Sequence, residues 1–373
     1  MGTFKRFWAL VLVISLTLFA GCGKVSEADK TDAKPQTLDD KVNAIVADMT
    51  LPEKVGQMVM IGIHGTEIND DSRYMLNQYH IGGVIFFDRN LQSAEQTKKL
   101  TADLQAQAAA KVPLFIAIDE EGGPVARGKG FIEPPPSAQS IGQGGDNTQA
   151  EAWAQKTGKR LKDLGINVNF APVADVGNNP REYAADGQTT AKFVAAAAQG
   201  YESAHVIYAL KHFPGIGRGQ VDSHIDRSEI PATKDELMAQ DLVPFKEIIA
   251  NHSPENFMIM VSHLVYPALD KNHTASLSAE VQTKLLRKEL GFNGIIITDS
   301  LEMGAVSKYG DFRDLGVQAI QAGADIALVC HEYPRQTAVY LGILDAVEKG
   351  VISEERINES VKRIVKMKLL HQQ

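Results

Sequence analysis

From about Asp39 onward, short and nearly continuous apolar runs alternate with longer segments whose apolar residues recur at helical spacing. The runs Gln57–Ile63, Gly82–Phe87, Leu114–Ile118, Asn167–Phe170, Ile207–Lys211, Met258–Ser262, Gly294–Thr298 and Asp325–Val329 are rich in Val, Ile and Phe. That pattern predicts strands buried on both faces of a parallel sheet. Between them, Leu91–Ala110, Gln149–Leu164, Thr189–Ala204, Lys234–Ala250, Ala279–Leu290 and Gln336–Lys349 predict helices. The last helix is expected over Ser353–Leu370, where Ser353 offers an N-cap and Glu354 and Glu355 an acidic first turn.

Eight strands, each followed by a helix where loops do not lengthen, predict an α/β fold of the (β/α)8 TIM-like barrel type in one catalytic domain. A doubly wound open sheet shows the same alternation, and the count of eight favours the barrel. In such barrels chemistry sits at the C-terminal ends of the strands. Those ends carry Asp119, Lys211, His212, His263 and Asp299. A buried charge without a partner costs several kcal/mol, roughly, so polar groups from four strand ends are expected to line one pocket.

The N-terminus changes the picture of location. Lys5 and Arg6 precede an apolar run from Phe7 to Ala20, then Gly21 and Cys22. A basic start, a short apolar stretch and small residues describe an export signal. The run is short for a bilayer span. Leu18–Cys22 resembles the bacterial lipobox, which implies cleavage before Cys22 and lipid attachment to it; an ordinary secretory signal is the alternative. The expected organisation is a signal peptide over 1–21, a polar tether over 22–37 and a barrel domain over 38–373. The tether is rich in Lys, Asp, Ser, Ala and Thr without apolar periodicity. Cys330, in an apolar run, is then expected to be a buried free thiol.

The chain has 373 residues, 44% of them hydrophobic, enough for a large core, and a formal net charge of −8. That charge argues against general affinity for nucleic acid, and it does not hinder binding of a neutral sugar.

Three motifs carry the chemistry. Lys211-His212-Phe213-Pro214-Gly215-Ile216-Gly217 runs on to Asp222-Ser223-His224. Gly291–Met303 contains Thr298-Asp299-Ser300, and Asp119-Glu120-Glu121-Gly122-Gly123 is followed by Arg127. In this order and spacing, the motifs resemble family 3 glycoside hydrolases, specifically the β-N-acetylglucosaminidase branch, from about Leu51 to Lys368. The resemblance implies that Asp299 is the nucleophile of a retaining mechanism, forming a covalent glycosyl-enzyme. It further implies a His224–Asp222 dyad as acid and base, with Asp222 holding the ring and favouring its charged form. Glycines 215, 217 and 219 suggest a loop able to swing.

The resemblance also carries Asp119 over as an acceptor for sugar hydroxyls, and Arg127, Arg181, Lys211 and His212 as donors to hydroxyls and the acetamido group. His263 falls at another pocket position, in a structural or a substrate-facing role. Arg181 lies in a shorter Asn-Pro segment than the family usually has. Pro124 replaces a basic residue common after the paired glycines, and Ser300 replaces an acidic one, so the leaving-group side is where this chain departs. Many two-domain relatives draw a Glu acid from an added sandwich domain; the chain closes soon after the eighth unit, and the loop histidine is the expected acid.

The expected activity is that of a retaining exo-β-N-acetylglucosaminidase acting on GlcNAc-containing β-glycosides or muropeptides. It is expected to be a monomer tethered by lipid to the outer face of a membrane, with no nucleic-acid partner. No metal or cofactor is expected, because nucleophile, acid and hydroxyl ligands are all side chains. The alternatives are a phosphorylase sharing the dyad, a metal-dependent hydrolase using His212, His224 and His263, a Schiff-base enzyme using Lys211, and a non-catalytic sugar-binding lipoprotein.

Overall fold

The computed structural model describes residues 37–108, 112–219 and 228–372. Eight parallel strands form a closed barrel. They are β1 (Val59–Gly62), β2 (Gly83–Phe86), β3 (Phe115–Ile118), β4 (Val168–Asn169), β5 (Ile207–Phe213), β6 (Phe257–Val261), β7 (Ile295–Ser300) and β8 (Ile326–Val329). Neighbours in sequence are neighbours in the sheet, and the ring closes where Val59 of β1 pairs with Ala327 of β8. The expected (β/α)8 barrel is the observed one, and each strand overlaps the apolar run that predicted it. Closure removes both sheet edges.

The helices pack outside, and their starts are written in capping residues. Ser353 accepts from the Arg356 N–H, Asp186 caps Gly187–Ser203, and Ser93 caps Ala94–Gln107. The segment predicted as one helix over Lys234–Ala250 is broken. A short turn at Lys234–Glu236 passes into a wider π-type turn over Leu237–Asp241 and then an α-helix over Val243–Asn251, with Pro244 in its first turn. Proline lacks the N–H that would continue the earlier ladder.

The N-terminal end of the barrel is a structural face. Asp325 is buried below β8 and accepts hydrogen bonds from the Ile296 N–H, Ser360 Oγ and Arg363, with Arg287 also bound to it. The cations and hydrogen bonds outweigh burial and hold its carboxyl below the ordinary range. Beneath β2 and β3, the Lys368 ammonium reaches Gln57 Oε1 at 2.7 Å and the Gly82 carbonyl at 2.8 Å, beside the Phe115 ring. Burial pushes its pKa down to about 7. Neither group is near the strand ends that carry the motifs.

Candidate active site

A cavity of about 480 Å³ opens among the C-terminal ends of the strands, lined by Asp119, Arg127, Arg181, Lys211, His212 and Asp299 among others. Six of the nine expected catalytic and sugar-binding residues thus share one space. Asp222 and His224 lie outside the described residues. On either side of them the described residues end at Gly219, which lines the cavity, and resume at Ser228.

The ninth, His263, takes the structural of its two expected roles and not the substrate-facing one. It is buried and does not line the cavity. Its Nε2 lies 2.8 Å from the Ser300 carbonyl and its Nδ1 2.6 Å from Ser276 Oγ. A carbonyl only accepts, so Nε2 carries the proton. Burial lowers its pKa, in keeping with a neutral ring. His263 is a strut under the end of β7. With both nitrogens engaged, it is removed from a three-histidine metal set.

Asp299 stands one residue before the end of β7, with its Oδ1 accepting the Ser300 N–H at 2.7 Å. Burial alone would raise its pKa. The Ser300 N–H and the Lys211 ammonium work against burial, and the carboxyl is held below its ordinary value. The group is therefore an ionised carboxylate facing the cavity, which is what a nucleophile requires. The Thr298 hydroxyl, one residue earlier, accepts the Leu328 N–H and ties β7 to β8.

Around it is a buried charge network. The Lys211 ammonium lies 2.6 Å from Asp119 Oδ1 and 2.6 Å from Glu121 Oε1. Arg181 grips both oxygens of Glu121 at 2.8 and 2.9 Å. Bidentate pairing fixes both orientation and distance. Burial alone would raise Glu121, but Lys211 and Arg181 drive it down to about 2. Burial alone would depress Lys211, but Asp119 and Glu121 raise it. A lysine held protonated in this way is a poor imine-former, which disfavours the Schiff-base reading. Arg127 is held more loosely, 3.9 Å from Asp119 and 4.0 Å from Asp88, over the Phe87 ring.

His212 follows Lys211 through a cis peptide bond, and both side chains line the cavity. Its ring is held by Asp175 at 2.7 Å. Asp175 and Glu121 were not singled out from the sequence. Glu121 was hidden inside a motif read for Asp119. Asp175 ends the run Ala171-Pro172-Val173-Ala174-Asp175, and an ionisable residue closing an apolar run just past a strand was the available signal. Glu302 was missed likewise. Its buried carboxylate takes the N–H groups of His331 and Glu332, which brings the segment after β8 to the cavity rim.

The glycines have positional reasons. Gly215 has φ +123°, closed to most side chains, and a Cβ on Gly217 would stand 2.1 Å from the Val176 carbonyl oxygen. The Tyr266 hydroxyl donates to the Gly215 carbonyl at 2.8 Å. The described root of the loop is thus packed down, and Gly217 serves close approach rather than freedom to swing. Pro124 is exposed at the tip of a hairpin formed by Glu120–Gly122 and Val125–Ala126.

Residues 50–367 match the model of the glycosyl hydrolase family 3 N terminal domain. The chain is 36% identical over 326 residues to Beta-hexosaminidase A of Pseudoalteromonas piscicida, covering 79% of this chain and 54% of that protein. It is 36% identical over 286 residues to a Beta-hexosaminidase of Stenotrophomonas maltophilia, covering 74% of this chain and 83% of that protein. The solved structure of a glycoside hydrolase family 3 beta-N-acetylglucosaminidase from Paenibacillus sp. str. FPU-7 superposes with a TM-score of 0.82 at 40% identity. That match covers 87% of this chain and 63% of the Paenibacillus protein. The chain therefore spans about half of the first relative and under two thirds of the third.

Proposed function

The chain belongs to glycosyl hydrolase family 3, and from that premise we propose that it is a retaining exo-β-N-acetylglucosaminidase that removes terminal β-linked GlcNAc, with peptidoglycan fragments as its substrate. The observation that carries this reading is the ionised Asp299 carboxylate at the mouth of the barrel, sharing a cavity with Asp119, Lys211, Arg127, Arg181 and His212. The relatives named for hexosaminidase or N-acetylglucosaminidase activity support the choice of sugar.

In the first step an Asp299 oxygen attacks C1 of the sugar as the bond from C1 to the leaving oxygen breaks. His224 gives that oxygen its proton, with Asp222 holding the imidazolium. In the second step His224 takes a proton from water, the water oxygen attacks C1, and the carboxylate departs. Two inversions give net retention. Asp119 and the cations beside it are suited to gripping hydroxyls and the acetamido group, because ionised partners roughly double the strength of a hydrogen bond.

Export by residues 1–21 and lipid attachment at Cys22 are part of the same proposal, placing the enzyme at the cell envelope. Among the described residues no helix is long and apolar enough to cross a membrane. Incorporation of labelled fatty acid, lost in Cys22→Ala, tests the anchor.

The deciding experiment is trapping with a slow fluorosugar analogue of GlcNAc, followed by peptide mapping. The adduct is expected on the peptide containing Asp299. Steady turnover with an adduct on another residue removes Asp299 from the role.

A further inference from the structure

Asp175 follows β4, is buried, and divides its two carboxylate oxygens between two tasks. Oδ1 accepts the backbone N–H of His212 at 3.1 Å and of Ile216 at 2.9 Å. Oδ2 meets His212 Nδ1 at 2.7 Å. A carboxylate accepting two N–H groups offers only lone pairs, so Nδ1 must carry the hydrogen of that contact. Nε2 is then the one ring nitrogen left to meet the cavity, and it lies 3.5 Å from Nη2 of Arg181. A guanidinium brings only N–H groups, so Nε2 meets it with a lone pair, which at 3.5 Å is left for a closer donor to take.

We propose that Asp175 is a positioning residue that fixes His212 as its Nδ1–H tautomer, so that Nε2 serves as a hydrogen-bond acceptor for a sugar hydroxyl. The family resemblance had implied a donor. The same carboxylate anchors Ile216, so one side chain sets both the sugar-reading ring and the root of the loop that leads to residues 222–224. This inference rests on the cavity being the sugar site.

The division of oxygens allows a clean test. Asp175→Asn can keep Oδ1 on both backbone N–H groups while an NH2 replaces Oδ2. His212 Nδ1 must then accept, and its proton moves to Nε2, where it opposes the Arg181 N–H. We expect normal folding, a His212 tautomer switch in ¹H–¹⁵N spectra recorded at alkaline pH, and kcat/KM on an aryl N-acetylglucosaminide reduced about 10- to 100-fold, the cost of an unmatched buried partner.

Wild-type spectra in which His212 Nδ1 lacks a proton overturn the assignment, and this measurement stands even if the variant does not fold. A switched tautomer with unchanged kcat/KM overturns it too, as does lost activity with the tautomer unmoved. Failure of the wild-type protein to cleave any GlcNAc glycoside counts against the proposed function instead, and leaves the tautomer result separately readable.

Discussion

Lys211, near the end of the fifth strand, reaches past the fourth to place its ammonium 2.6 Å from the carboxylate of Asp119, just beyond the third. Because the same ammonium also meets Glu121, which Arg181 grips, groups from separate connections are locked together before any ligand arrives. Such preorganisation lowers the ordering cost of binding.

Lys211→Met should therefore do more than weaken binding. It leaves Glu121 with Arg181 alone and strips Asp119 of its closest cation. Removing one partner of a buried pair costs about 3 kcal/mol or more. Chemical denaturation should show that loss, and turnover of an aryl N-acetylglucosaminide should fall at least tenfold. Wild-type stability in the variant would contradict the network described.

His224→Ala should be most damaging where the leaving oxygen needs a proton. Activity on a poor leaving group such as an alkyl glycoside is expected to fall by roughly 10²–10⁴, the usual worth of general acid catalysis. A dinitrophenyl glycoside, whose oxygen leaves as an anion, should lose far less in the first step. Equal losses across the series would remove His224 from the acid role.

Stability should vary with pH in opposite senses for two neighbouring glutamates. Burial first, and Asp119 in the same direction, raise Glu120 to about 7 from an ordinary 4.5, despite the Gly128 and Arg127 N–H groups. Between those values the unfolded chain releases the proton and the folded one keeps it, so stability falls as pH rises. Glu121, driven down to about 2, stabilises above pH 4.5 and loses that contribution as pH falls toward 2.

Glu120→Gln retains an acceptor for the Gly128 N–H that Oε2 now takes. It should match wild type near pH 4.5 and exceed it above pH 7 by on the order of 2 kcal/mol. Parallel melting-temperature profiles from pH 4.5 to 8 would show that Glu120 is not the group responsible.

The barrel was legible because strands buried on both faces read as plain apolar runs, and all eight did. Shorter features were not. The run read as a strand from Gln57 begins inside a helix, Leu51–Gln57, whose Thr50–Glu53 capping box was the missed signal. The helices Asp70–Gln78 and Phe312–Ala322 were not read, and the π-type turns over Leu237–Asp241 and Glu280–Glu289 leave no mark in periodicity at this length.

At the site, the six residues that line the cavity could be read from motif spacing. Residues that hold those groups could not, because their meaning is a distance. Asp175 matters through two oxygens and three N–H groups on other segments, and the choice between the two roles of His263 was hidden for the same reason. Its position at a strand end said pocket, while its two hydrogen bonds say strut.

The seam between Val59 and Ala327 joins the first strand to the last. Each is an open edge until the other arrives, which happens only once synthesis has passed the eighth strand. Folding must therefore wait on synthesis, and a half-finished chain exposes two adhesive borders that invite pairing with other molecules. Production at low expression rate, or with a holding chaperone, should recover more active protein than faster expression of the same sequence.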